Sequence, residues 1–211
     1  MQTFLPYSSF YRSAKCLDTS RLNKQIVECQ QILNAMVTGA GWANHPAVRM
    51  WKDHRGALVL YAESMTTLWA RRRGAPDDFS HGSWLKIVEY AKEHGIPLTD
   101  QPPMPEWLGD ERLHSSHRSR LLLKGLLDTA RKRAILFIGT NKAAALRDFL
   151  METFDLPKSR ANFRDLTVAQ VNHLHTIFSN KGIELHANYY EQFNWDEKPT
   201  DDYFWPVPTG A

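Results

Sequence analysis

Cysteine is scarce in this 211-residue chain, which holds only Cys16 and Cys29. Two thiols cannot make a disulfide framework, and these two lack metal-ligand spacing. No apolar run approaches the ~20 residues that a membrane span needs. The opening, MQTFLPYSSF, has neither the basic start nor the long apolar stretch of a signal peptide. A phosphate-binding glycine loop, a nucleophile elbow and an HExxH zinc helix are all missing. Internal repeats and low-complexity segments are missing too. These absences predict a soluble, cytosolic protein.

Charge of one sign is not in excess either, since the formal net charge is +3. It is unevenly placed. Residues 188–211 hold one Lys against five Asp and Glu, which leaves the body basic. That balance suits a polyanion partner without requiring one. Hydrophobic residues make up 43% and aromatics 11% of the chain, enough to exclude a mostly disordered protein. The length allows one sizeable core, or a core with a subdomain.

The strongest local signal is DTSRLNKQIVECQQILNAMVT, residues 18–38. Leu22, Ile26, Cys29, Leu33 and Met36 recur at steps of four and three, the period of one apolar helix face. Asp18 stands at the N-cap position. Arg21, Lys24, Gln25, Glu28 and Gln31 follow the same period on a flank of that face. The plain reading of this flank is a solvated edge with an i, i+4 Lys24–Glu28 pair.

Other helices are expected at 8–14, at 46–72 with Gly56 as a close contact or bend, and from Ser80 or Ser83 to His94. Residues 96–109 contain four prolines and read as a surface loop. Asp110 starts a further helix carrying His114, His117, Arg118, Leu121 and Lys124 at helical spacing, with Arg120 on a neighbouring edge. Helices follow at about 126–138, 142–154 and 167–180, the last capped by Thr167. ILFIG at 135–139 reads equally as a short strand. The class is all-α, a compact helical bundle. His114/His117 and His173/His175 are possible metal pairs, but no acidic or cysteine partner stands near them. Beside Arg118, Arg120 and Lys124 the first pair reads better as phosphate contacts, and a solvated basic face fits the spacing as well.

The blocks LDTSRLNKQIVE, NHPAVRMW, HSSHRSRLLLK, NYYEQFNW and YFWP, in that order, resemble the pyrimidine-dimer DNA glycosylase family. The likeness runs through residues 1–60 and recurs at 114–124 and 188–206. It divides the chain into a glycosylase-like helical core at 1–125, a helical insertion at 126–187 and an aromatic segment at 188–211 packed on the core. It implies a cofactor-free, metal-free enzyme, expected to be a monomer, acting on double-stranded DNA with a damaged or modified pyrimidine. In that family the chain's own α-amine attacks C1′ of the damaged nucleotide. The base leaves, a Schiff base forms, and β-elimination nicks the strand. The resemblance makes the Met1 amine the nucleophile, unless processing exposes Gln2, and Glu28 the assisting carboxylate. It places Arg120, Leu121 and Lys124 on a phosphate-holding element of the family. Arg21, Lys24, Gln25, His45, Arg49, His117 and Arg118 complete the expected DNA contacts. An unperturbed α-amine pKa near ~7.7–8.0 leaves a useful neutral fraction at physiological pH. A non-catalytic DNA-binding relative and an enzyme for a modified base in phage or host DNA are the alternatives.

Overall fold

Apolar periodicity and capping residues set most helix ends in the computed structural model, which describes residues 2–39, 41–183 and 188–206. Among these residues there are eight α-helices and no strand. They are α1 (Phe10–Cys16), α2 (Thr19–Thr38), α3 (Pro46–Trp51), α4 (Arg55–Arg72), α5 (Gly82–Glu93), α6 (Glu111–Ile138), α7 (Ala143–Phe154) and α8 (Val168–Asn180). No helix is long and apolar enough to cross a membrane among the described residues. The chain forms two compact units, Met1–His117 with Phe204–Ala211, and Arg118–Tyr203.

In the first unit α2 packs on α3, α4 and α5, and α1 packs on α4. Asp18 caps α2 by accepting from the Arg21 amide at 2.8 Å. Gly39, at φ 60°, ends the helix in the left-handed conformation that glycine adopts without a Cβ penalty. Leu22, Ile26, Cys29 and Leu33 are buried as the stripe requires. The single helix expected over 46–72 is two helices, interrupted at Lys52–His54. Gly56 lies inside the second of them, where a Cβ would come within 3.1 Å of the Pro102 side chain. Its small size lets the proline-rich loop lie against α4. The cap of α5 is His81, whose Nδ1 accepts from the Ser83 amide at 3.2 Å, rather than Ser80 or Ser83.

In the second unit Leu123, Leu127, Ala130 and Ala134 form one stripe on α6. They close a core with Leu146 and Leu150 of α7 and Val171, Leu174 and Phe178 of α8. Each large side chain removed from water contributes on the order of 1.5–3 kcal/mol. Thr167 caps α8 with a full capping box. The run at 135–138 is helical, as the last turn of α6.

The chain passes from the first compact unit to the second inside α6, between His117 and Arg118. Gly125 lies inside α6, which runs through it without a break. Asn188 explains the glycine. Its side chain donates to the Leu122 carbonyl at 3.0 Å and accepts from the Tyr190 amide at 3.0 Å. A Cβ on Gly125 would stand 1.7 Å from its Oδ1. Gly125→Ala is therefore expected to destabilise the second unit by about 2–4 kcal/mol, despite alanine's better helix propensity. Urea denaturation reads the loss, and Asn188→Ala in the same chain should recover part of it. An unchanged midpoint for Gly125→Ala alone would contradict this packing.

Candidate functional site

Residues 2–5 belong to no helix, so their backbone groups need partners from elsewhere. Side chains of four helices supply them. The Gln2 amide donates to Glu28 Oε2 at 3.3 Å. The Phe4 amide donates to Gln25 Oε1 at 2.7 Å, and the Leu5 amide to His117 Nδ1 at 2.8 Å. The Tyr61 hydroxyl lies 2.9 Å from the Phe4 carbonyl and 2.7 Å from Gln25 Oε1. Trp51 Nε1 donates to Thr3 Oγ1 at 2.9 Å. His114 sets Nδ1 2.7 Å from the Leu5 carbonyl and Nε2 2.7 Å from the Leu108 carbonyl. The start of the chain is thereby pinned across α2, with its first described amide on the Glu28 carboxylate.

The polar flank of α2 is divided. Arg21 and Lys24 keep surface, while Gln25 is buried and Glu28 is 7% exposed. Glu28 Oε1 lies 3.3 Å from Lys24 Nζ, a side chain 61% exposed. The solvated Lys24–Glu28 pair is thus half right: the ion pair is there, but its carboxylate faces the chain's beginning. Arg21 is held by Asp18, which takes both its amide and its Nη1. Two other groups nearby are chemically quiet. Burial, reinforced by the Glu28 charge, pushes the Cys29 thiol well above its ordinary pKa, so it is no nucleophile. Burial likewise raises the Tyr61 phenol, which stays protonated as a donor.

His117 is fully buried. Burial first, and the nearby His114 second, push its pKa down to about 3. Nδ1 accepts from Leu5, so the neutral ring carries its proton on Nε2, 3.0 Å from the Gln2 side-chain amide. The nitrogen of that amide also donates to the Thr3 carbonyl at 3.1 Å. His117 and Gln25 therefore do not present themselves to a phosphate; both work inside, holding residues 2–5. With both of its nitrogens on carbonyl oxygens, His114 is likewise no half of a metal pair. His175 accepts from Arg133 Nη1 through Nδ1 at 2.8 Å, so that nitrogen is spoken for as well.

His45 caps α3, accepting from the Ala47 amide at 3.1 Å. Its ring meets Trp42 and Trp205 edge-on, at 5.6 and 5.7 Å between centroids. Burial lowers its pKa, and the Glu28 carboxylate opposes that effect, which puts the two in electrostatic reach. Trp42 is 63% exposed, a large aromatic standing in water beside this histidine. Arg49 follows one turn later on α3, half-buried.

The remaining expected cations lie in the second unit or at its start. Arg118 is buried and engaged by Glu197 through Nε at 2.7 Å and Nη2 at 2.5 Å. Arg120 donates to the Thr200 carbonyl at 2.8 Å, pairs with Asp201 at 3.9 Å and stacks on Tyr203 at 4.5 Å. Lys124 is half-buried on α6. The acidic tail segment thus occupies the two guanidiniums expected on phosphates. Met1 lies outside the described residues. The clamps Thr3, Trp51 and Tyr61 were not singled out in the sequence, because nothing in their local pattern separates them from core residues, and His114 was singled out for a phosphate or a metal rather than for the Leu5 carbonyl.

These features define a class: an all-helical protein whose N-terminal segment is fixed against a nearly buried carboxylate, with exposed cations alongside. Residues 1–81 match the family model described as pyrimidine dimer DNA glycosylase. The match takes in residues 2–5, Glu28, Lys24, His45 and Tyr61, supports the family the sequence resembles, and supports a role of the DNA-repair glycosylase type. No curated protein and no solved structure matches the chain.

Proposed function

We propose that this protein is a DNA glycosylase with associated AP-lyase activity, acting on a damaged or modified pyrimidine in duplex DNA through the first amine of its chain. The observation that carries the reading is the Gln2 amide on Glu28 Oε2. If Met1 is retained, its amine is three covalent bonds from the Gln2 nitrogen, a separation below about 4.3 Å. If Met1 is removed, the Gln2 nitrogen itself becomes the free amine. In either form nucleophile and carboxylate share one site.

The amine lone pair attacks C1′, and the glycosidic electrons leave with the base, which takes up a proton. Opening of the sugar gives the Schiff base. Glu28 stabilises the positive charge that develops there and removes a proton from C2′. The electrons released expel the 3′ phosphate, which nicks the strand, and water then frees the enzyme. Lys24, Arg21 and Arg49 are the cations proposed to meet the backbone, with the His45 ring beside them as a neutral polar contact. Trp42 offers a flat face for a base taken out of the stack, as access to C1′ requires.

Borohydride added during reaction with an abasic duplex should trap a covalent protein–DNA adduct, and peptide mapping should place it on the first residue. N-terminally acetylated protein should give none. An adduct mapped to a lysine would remove the mechanism. Intact mass reports which residue is first.

A further inference from the structure

The second unit contains a cleft of about 350 Å³ that the glycosylase reading does not use. Leu150, Ala161 and Phe163 are among its apolar lining, and Arg131, Arg147 and Lys158 supply its charge. No carboxylate lines it. Among the described residues none of the three cations has a carboxylate partner. Arg147 Nε is shut off from solvent and has no hydrogen-bond partner, a costly state for a guanidinium unless an acceptor arrives. Ala143, the first residue of α7, also lines the cleft. That helix starts at Lys142, whose side chain cannot accept from the first-turn amides, and no acidic residue stands in the first turn. Its N-terminal partial charge is therefore left for an anion.

Three cations call for more than one negative charge, as a phosphate monoester carries. Leu150, Ala161 and Phe163 form a buried floor with little exposed surface, and Ser159 and Asn162 beside it call for a body that carries hydrogen-bonding groups. The volume falls at the low end of the roughly 300–1,000 Å³ of small-molecule clefts, too small for a long acyl chain. We propose that this cleft binds a nucleotide, with the phosphate against Arg131, Arg147 and Lys158 and the base towards Ser159, Asn162 and the Phe163 floor. The nucleotide is either free or one unit of a DNA strand. The cleft lies outside residues 1–81, so its failure would leave the glycosylase reading standing, and the reverse also holds.

The test is equilibrium binding of thymidine 5′-monophosphate, thymidine and inorganic phosphate to the full chain, followed by calorimetry or by ligand NMR. The monophosphate should bind at least about tenfold more tightly than either fragment, since each fragment reaches only half of the site. Arg147→Gln should weaken it about tenfold or more, and Lys158→Gln, at an exposed position, should do so in a chain whose fold is not in question. Competition by an oligothymidylate identifies a strand as the source. Monophosphate binding without such competition identifies a free nucleotide. The proposal is overturned if the monophosphate binds no better than inorganic phosphate, or if both variants bind it like the parent chain.

Discussion

Glu28→Gln is expected to slow strand nicking by on the order of 10²–10⁴-fold while changing duplex affinity only a few-fold. The substitution keeps the shape and an oxygen to accept from the Gln2 amide, so residues 2–5 should stay in place. It removes the charge that Lys24 pairs with and the base that would take the C2′ proton. Single-turnover nicking of an abasic duplex measures the first effect and filter binding the second. A variant retaining activity within tenfold of the parent would show that Glu28 is a structural clamp only. Equal loss of affinity and activity would point instead to a collapsed site, which the circular dichroism of the variant would reveal.

Acid is expected to destabilise the fold through His117. Its ordinary pKa is 6.5, and in the fold it is about 3. The unfolded chain therefore binds the proton first. Above pH ~6.5 the ring is neutral in both states and its contribution is complete. As pH falls from there towards 3, that contribution is lost at ~1.36 kcal/mol per unit, on the order of 4–5 kcal/mol in all. His45, His81 and His175 are shifted in the same direction, chiefly by burial, and add to the slope. Denaturant midpoints should hold from pH 7.5 to about 6.5 and fall from there to pH 4.5. His117→Asn should start lower at pH 7.5 and fall less steeply. A parent chain whose stability is flat across that range would contradict a neutral, accepting His117. The same protonation sets an N–H against the Leu5 amide, so activity should decline along with stability.

How much of this was legible in the sequence can be judged on α2. Asp18, the apolar stripe and Gly39 delimited the helix because caps and periodicity are local properties. The burial of Gln25 and Glu28 was not local. On the helix alone they are an ordinary polar flank, and residues 2–5, with Tyr61 of α4 against Gln25, cover them. The resemblance singled out Glu28, which spacing could not. The break at 52–54 escaped notice because neither glycine nor proline marks it. His81 escaped as a cap because an imidazole is an uncommon acceptor there. The role of Gly125 was not legible either, because its missing Cβ makes room for Asn188, sixty-three residues further on.

The fastening of residues 2–5 bears on the order of events during synthesis. Their partners come from α2, α3, α4 and α6, the last of them at His114 and His117. Residues 2–5 therefore wait for more than a hundred later residues before their full set of partners exists. Such long-range closure is slow compared with helix formation. On the proposed mechanism, a chain lacking α6 would not hold the segment at Glu28, and it should not nick an abasic duplex.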